Sequence, residues 1–203
     1  EVNNGSHYGF IEDGVVLSSL QPGLATIFSK SDGVAVLKTW EKSDVSMIPE
    51  IRYARQNGVP IITAGSIGSI PTPGKYVNKW SEGNWSGDVS SHLRTLRTGL
   101  CLQENGSKRF LIFGYFSTAT PRALARVFQA LQCSYAMQLD MNLTEHGYMA
   151  LYHNSEASGK MEVEHLIPEM KYFDVRRNGK TFPRFLSVPD NRDYFFIYKK
   201  ETL

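Results

Sequence analysis

The run Thr120-Pro-Arg-Ala-Leu-Ala-Arg-Val-Phe-Gln-Ala-Leu-Gln-Cys-Ser-Tyr-Ala-Met-Gln-Leu-Asp140 joins one helix directly to one strand. Thr120 suits an N-cap and Pro121 the first helical position, where its missing N–H would have no partner anyway. Leu124, Val127, Phe128 and Leu131 recur at helical spacing and predict a helix to about Gln132. Tyr135 to Asp140 then reads as a mostly apolar strand. Upstream, Thr95–Leu102 and Arg109–Tyr115 predict a strand pair across the turn signal Glu104-Asn105-Gly106. Nearer the start, Gly14–Leu17, Leu24–Phe28 and Gly33–Trp40 alternate with glycine turns and predict a strand meander. Val59–Thr63 predicts another strand. Ser43–Arg55 fits neither period and Pro49 interrupts a regular helix, although Ile51–Ala54 can form a strand. Tyr148–Tyr152 and Tyr194-Phe-Phe-Ile-Tyr198 predict the last strands, on either side of a polar, loop-rich return over 155–183. One clear helix among many short strands predicts a β-rich α+β fold, with mixed sheets flanked by few helices.

The length of 203 residues suits a single domain, 1–203, and the absence of Met before Glu1 predicts residues upstream of it. With 22 basic and 20 acidic side chains interspersed, no basic or acidic surface is expected, which argues against nucleic acid as a partner. No run of 18 apolar residues predicts a membrane span. Cys101 and Cys133 lie in apolar surroundings and read first as buried free thiols; one disulfide fits if the protein is extracytoplasmic. Asn-x-Ser/Thr triplets begin at Asn4, Asn84, Asn105 and Asn142, and matter only in a eukaryotic secretory host.

Several polar residues are placed where chemistry can be assembled. Asp140 ends an apolar strand just before Asn142, Glu145 and His146, a setting that suits acid/base or metal chemistry as well as a simple turn cap. Arg97 interrupts a largely apolar strand. Turned inward it needs a partner, such as Asp140 or a bound phosphate; turned outward it is a solvated surface group. Asn4 and His7 flank a glycine turn where backbone can approach a ligand. Gln56 and Asn57 offer the donors and acceptors that sugar hydroxyls require, while Asn57-Gly58 is also an ordinary turn signal. Tyr76, Trp80 and Trp85, within the long Gly65–His92 loop, can stack on a sugar or staple that loop to the core.

Four blocks, taken in order, resemble the phosphodiester glycosidase family, whose type is the N-acetylglucosamine-1-phosphodiester α-N-acetylglucosaminidase-like domain. Asn4-Gly5 with His7-Tyr8-Gly9 and Gly14 resembles the family's opening. Ala54-Arg-Gln-Asn-Gly-Val-Pro60 is similar to its Gln-Asn/Gly-Gly-x-Pro segment, Arg97-Thr98 to the start of its central strand, and Leu124–Asp140 to its helix and Ala-x-x-Leu-Asp strand. A weaker match follows at Arg192-Asp-Tyr-Phe-Phe196. Leu139-Asp-Met-Asn142 departs from the common Leu-Asp-Gly-Gly-Gly-Ser and resembles a divergent bacterial branch; Cys101 likewise stands where a glycine is usual. The resemblance implies a hydrolase of sugar-1-phosphodiesters or related anionic glycans, extracytoplasmic, with Asp140, Arg97 and His7 as catalytic residues. Asn4, Gln56, Asn57, Thr98, Asn142 and His146 would contact the carbohydrate or sugar-phosphate substrate. No cofactor is required, although a divalent cation bridging Asp140 to phosphate is conceivable. The alternative is a non-catalytic cell-wall or polysaccharide-binding domain that kept the scaffold and lost the chemistry with the glycine triplet.

Overall fold

The computed structural model describes residues 9–63, 72–74, 77, 92–186, 189–190 and 194–198. The fold is β-rich α+β, built mostly of antiparallel sheets. Where the sequence reads as one domain, contacts group the chain into two compact units, Glu1–Gly147 and Tyr148–Leu203.

The first unit holds two five-stranded sheets. Strands β1 (Phe10–Glu12), β2 (Val15–Ser18), β3 (Ala25–Lys30), β4 (Val36–Thr39) and β5 (Ile51–Gln56) form one, in the order β2-β1-β5-β3-β4. Lys42–Glu50, the segment that fits neither period, is a 3-10 helix that includes Pro49. Strands β6 (Pro60–Thr63), β7 (Thr72–Pro73), β8 (Thr95–Asn105), β9 (Lys108–Ala119) and β10 (Cys133–Met141) form the other, in the order β7-β6-β10-β8-β9. Helix α1 (Pro121–Ala130) links β9 to β10, capped by Thr120 Oγ1, which accepts the Ala123 N–H at 3.1 Å.

The second sheet is covered on both faces. Leu100, Leu102, Tyr135 and Met137 meet Ala25, Ile27 and Leu37 of the first sheet. Cys101, Cys133 and Ala136 face Leu124, Ala125 and Phe128 of α1, together with Ile61 and Ile62. Each large apolar side chain so buried contributes about 1.5–3 kcal/mol. The seat for α1 depends on a glycine pair, because Gly99 lies opposite Gly114 across β8 and β9. A Cβ at Gly99 would stand 2.9 Å from the Phe128 ring, and one at Gly114 3.0 Å from it, so any larger residue would push the helix away. The helix is shorter than predicted: it stops at Ala130, Gln132 takes a φ of +56°, and Val127 and Leu131 stay exposed.

Cys101 and Cys133 form a disulfide with a Cα–Cα distance of 5.7 Å, which corrects the expectation of free thiols. The bond joins β8 to β10 inside the layer beneath α1.

The second unit contains two hairpins, β11 (Ala150–Asn154) with β12 (Met161–His165) and β13 (Val175–Arg177) with β14 (Lys180–Phe182), and a 3-10 turn at Pro168–Phe173. Among its described residues only Met170 and Arg184 are buried. Arg184 lies over the rings of Phe185 (4.6 Å), Tyr148 (5.3 Å) and Phe173 (5.9 Å), and its Nε donates to Asp190 at 2.8 Å. Asp174 Oδ1 accepts Tyr148 Oη–H, His165 Nε2–H and the Arg184 N–H, each at 3.2 Å. Tyr194–Tyr198 is not a strand; all five side chains are 42–76% exposed. Apolar β-forming residues predicted pairing there, but a strand also needs a ladder partner, and none is found among the described residues.

Candidate active site

The site is organised by a bulge in β10. Gln138 pairs with Gly99 and Met141 with Arg97, so three steps along β10 span two along β8. The extra residue breaks the alternation of the strand and bends it, a distortion that recurs beside active sites. Asp140 lies in the bulge and is exposed. Its carbonyl oxygen accepts Thr98 Oγ1–H at 2.7 Å, so Thr98 braces the backbone that presents the carboxylate.

Behind the bulge Arg97 is fully buried. Its Nε donates to Ala119 O at 2.9 Å, one terminal nitrogen to Gln138 Oε1 at 3.2 Å and the other to Leu93 O at 3.2 Å. The first terminal nitrogen also approaches Met141 Sδ at 3.6 Å. Burial pushes the guanidinium pKa down to about 10. Arg97 therefore faces inward, into the protein, where it ties the ends of β8, β9 and β10 together. That corrects the expectation of a group offered to a bound phosphate.

The chain after the bulge is tied back to the sheet by hydrogen bonds. Asn142 has a φ of +78°, its N–H donates to Leu96 O at 2.9 Å, and its Oδ1 accepts Thr95 Oγ1–H at 3.0 Å. His146, half-buried, donates from Nδ1 to Met141 O at 3.3 Å. Thr144 and Tyr115 share a hydroxyl hydrogen bond at 3.3 Å, and Gly147 packs so closely that a Cβ there would stand 2.7 Å from Thr98 Cγ2.

From the first sheet Asn57 Nδ2 donates to Gln138 O at 2.8 Å. Gln56 does something else. Its Nε2 donates to Thr26 Oγ1 (2.9 Å) and Gln21 O (3.0 Å), and its Oε1 accepts the Gln21 N–H (2.7 Å). Both amide hydrogens are committed inside the fold, so Gln56 is a buried brace and not a sugar contact. Its N–H also donates to Gly9 O at 3.1 Å, which brings the first described residue to the same corner. Asn4, His7, Tyr76, Trp80 and Trp85 lie outside the described residues.

The sequence reading missed Gln138, which bonds to Arg97, Met141 and Asn57 at once. The available signal was a lone amide inside Ala136-Met-Gln-Leu139, because a buried amide needs partners. Among the described residues no group of three or more His, Cys, Asp or Glu side chains gathers to hold a metal, and no helix is long and apolar enough to cross a membrane. No protein-family model matches the chain, and no curated protein matches it.

Proposed function

We propose that the chain is a hydrolase of the phosphodiester glycosidase type, cleaving the glycosidic bond of a sugar-1-phosphodiester or a related anionic glycan with Asp140 as its key carboxylate. One observation carries the reading: segments far apart in sequence are linked by hydrogen bonds around a single exposed aspartate. The links run from Gly9 to Gln56, from Asn57 to Gln138, from Gln138 to Arg97 and from Thr98 to Asp140. These are the blocks on which the resemblance rests. The Cys101–Cys133 disulfide supports an extracytoplasmic location, since such bonds persist in oxidising compartments.

Cleavage at an anomeric carbon passes through an oxocarbenium-like state. A phosphate ester is an acidic leaving group, so the site needs little proton donation and more neutralisation of charge. Asp140 serves as base or nucleophile. Of the polar groups that follow Asp140, His146 is half-buried beside the bulge and Glu145 is the nearest second carboxyl in sequence. The side chains of Met141, Asn142 and Leu143, in place of three glycines, keep a second reading open: a domain that binds an anionic polysaccharide without cleaving it.

Turnover of the methyl phosphodiesters of glucose, mannose and N-acetylglucosamine 1-phosphate, with and without divalent metal and chelator, separates the two. We expect hydrolysis, and a loss of about 10²–10⁴-fold in Asp140→Asn. An unchanged rate in that variant removes Asp140 from the chemistry. Saturable binding without turnover across the panel selects the binding domain.

A further inference from the structure

Gln138 stands two residues before Asp140, in the middle of a buried strand and itself almost fully buried. Its side-chain Nε2 donates to Met141 Sδ at 3.3 Å, spanning the bulge from its first residue to its last. Its Oε1 accepts from Arg97, and the same guanidinium nitrogen touches Met141 Sδ, so the three side chains contact one another beside the bulge. Its carbonyl takes a third tie, from Asn57.

We infer that Gln138 is the positioning residue of the site: it holds the β10 bulge in register and thereby fixes the direction in which Asp140 projects. Its role rests on Asp140 being the working carboxylate. The physical reason lies in strand periodicity. If the bulge is lost and β10 slips by one residue, every side chain beyond the slip changes face, and Asp140 leaves the rim. Thr98 and the backbone bond from Asn142 to Leu96 resist that slip from the β8 side. From within β10, Gln138 clamps both ends of the bulge. An amide suits this task because it both accepts from Arg97 and donates to Met141, whereas an ionised carboxylate only accepts and an aliphatic chain does neither.

The test is Gln138→Met in the full chain, which keeps the volume and removes both side-chain bonds. Hydrogen–deuterium exchange without ligand should show the Asn142 and Gly147 amides exchanging about tenfold faster or more, with α1 and β3 as in the wild type. With methyl N-acetylglucosamine 1-phosphate as probe, kcat should fall by about 10–100-fold, the scale of a displaced reacting group, while KM stays within about threefold. Unchanged exchange over residues 140–147, or faster exchange across the whole sheet, overturns the positioning role. Asn57→Ala, which removes only the tie to the Gln138 carbonyl, should reproduce the local pattern more weakly, and its failure to do so counts equally against the role. If the wild type cleaves no probe, the proposed function fails and the catalytic part of the role with it, while the exchange experiment still decides whether Gln138 holds the bulge.

Discussion

Asp44 opens the 3-10 helix Lys42–Glu50, accepting the Glu41 N–H at 2.8 Å and pairing with Lys38 Nζ at 2.6 Å. Burial pushes the Asp44 carboxyl up, but the Lys38 hydrogen bond, the Glu41 N–H and the Lys38 charge together outweigh it and hold its pKa below the ordinary value. A depressed folded pKa means that the unfolded chain binds more protons in the window between the two values. The stabilisation is therefore present above the unfolded pKa, about 3.9, and is lost as pH falls through the folded value. Asp44→Asn should lose about 1–2 kcal/mol at pH 7. In urea titrations at pH 7, 5 and below 3, its deficit relative to wild type should hold at pH 5 and close at the acid end; a constant deficit would remove the ion pair as its cause. Asn142 shows the limit of reading single residues. The sequence shows that glycines are absent after Asp140, but it does not show that Asn142 takes the left-handed φ of +78° that glycine adopts freely and that asparagine tolerates better than most. The substitution thus preserves a turn that a glycine would also allow.

At the scale of elements, β8 and β10 carry both the site and the disulfide, and the cysteine spacing of 32 residues sets the energetic weight of the bond. Closing a loop of that size in the unfolded chain stabilises the fold by about 3–4 kcal/mol. Cys101→Ala with Cys133→Ala should therefore lower the unfolding free energy by about that amount, read from the urea midpoint, and a loss below about 1 kcal/mol would mean that β8 and β10 are held by packing alone. The pairing was not legible because it depends on the register of two strands separated by a hairpin and a helix, whereas local signals were. Thr120-Pro121 and Asn105-Gly106 each state a cap or turn within a few residues, and α1 and the β8–β9 hairpin were read from them. Met161-Glu-Val-Glu-His165 lies within the predicted loop-rich return, yet its alternation of Met161 and Val163 with polar residues belongs to a strand, β12. Around the bulge, Thr98 and Asn57 stand out in the sequence as polar residues, but their ties to the Asp140 and Gln138 carbonyls do not. The burial of Arg97, the internal role of Gln56 and the hub at Gln138 do not either, because each is a matter of long-range contact. Period-2 alternation could not orient Arg97, because β8 is covered on both faces and both of its side-chain rows are largely buried.

Over the whole molecule, the two units reach stability by different routes. Glu1–Gly147 has layered apolar clusters, whereas the described part of Tyr148–Leu203 buries only Met170 and Arg184. A unit with so little apolar interior depends on polar groups that satisfy one another. Arg184 is the centre of that arrangement: three aromatic rings lie within 6 Å of its guanidinium carbon, Asp190 takes its Nε–H, its own N–H reaches Asp174, and its carbonyl accepts Tyr152 Oη–H at 2.8 Å. Burial and the neighbouring Tyr152 hydroxyl raise the Tyr148 pKa, so this phenol stays protonated and remains a donor to Asp174. Removing the guanidinium leaves Asp190 without that partner and opens a gap between the rings. Breaking a fully buried ion pair from one side costs about 3–5 kcal/mol, and the partial exposure of Asp190 places this pair below that range. Arg184→Ala should therefore open the second unit selectively. In hydrogen–deuterium exchange, amides of β11 to β14 should lose protection while those of β3, β8 and β10 keep theirs, and urea unfolding followed by site-resolved probes should show two separate transitions in place of one. Loss of protection in both units together would mean that they fold as a single cooperative block, and that Arg184 contributes to the stability of the entire chain.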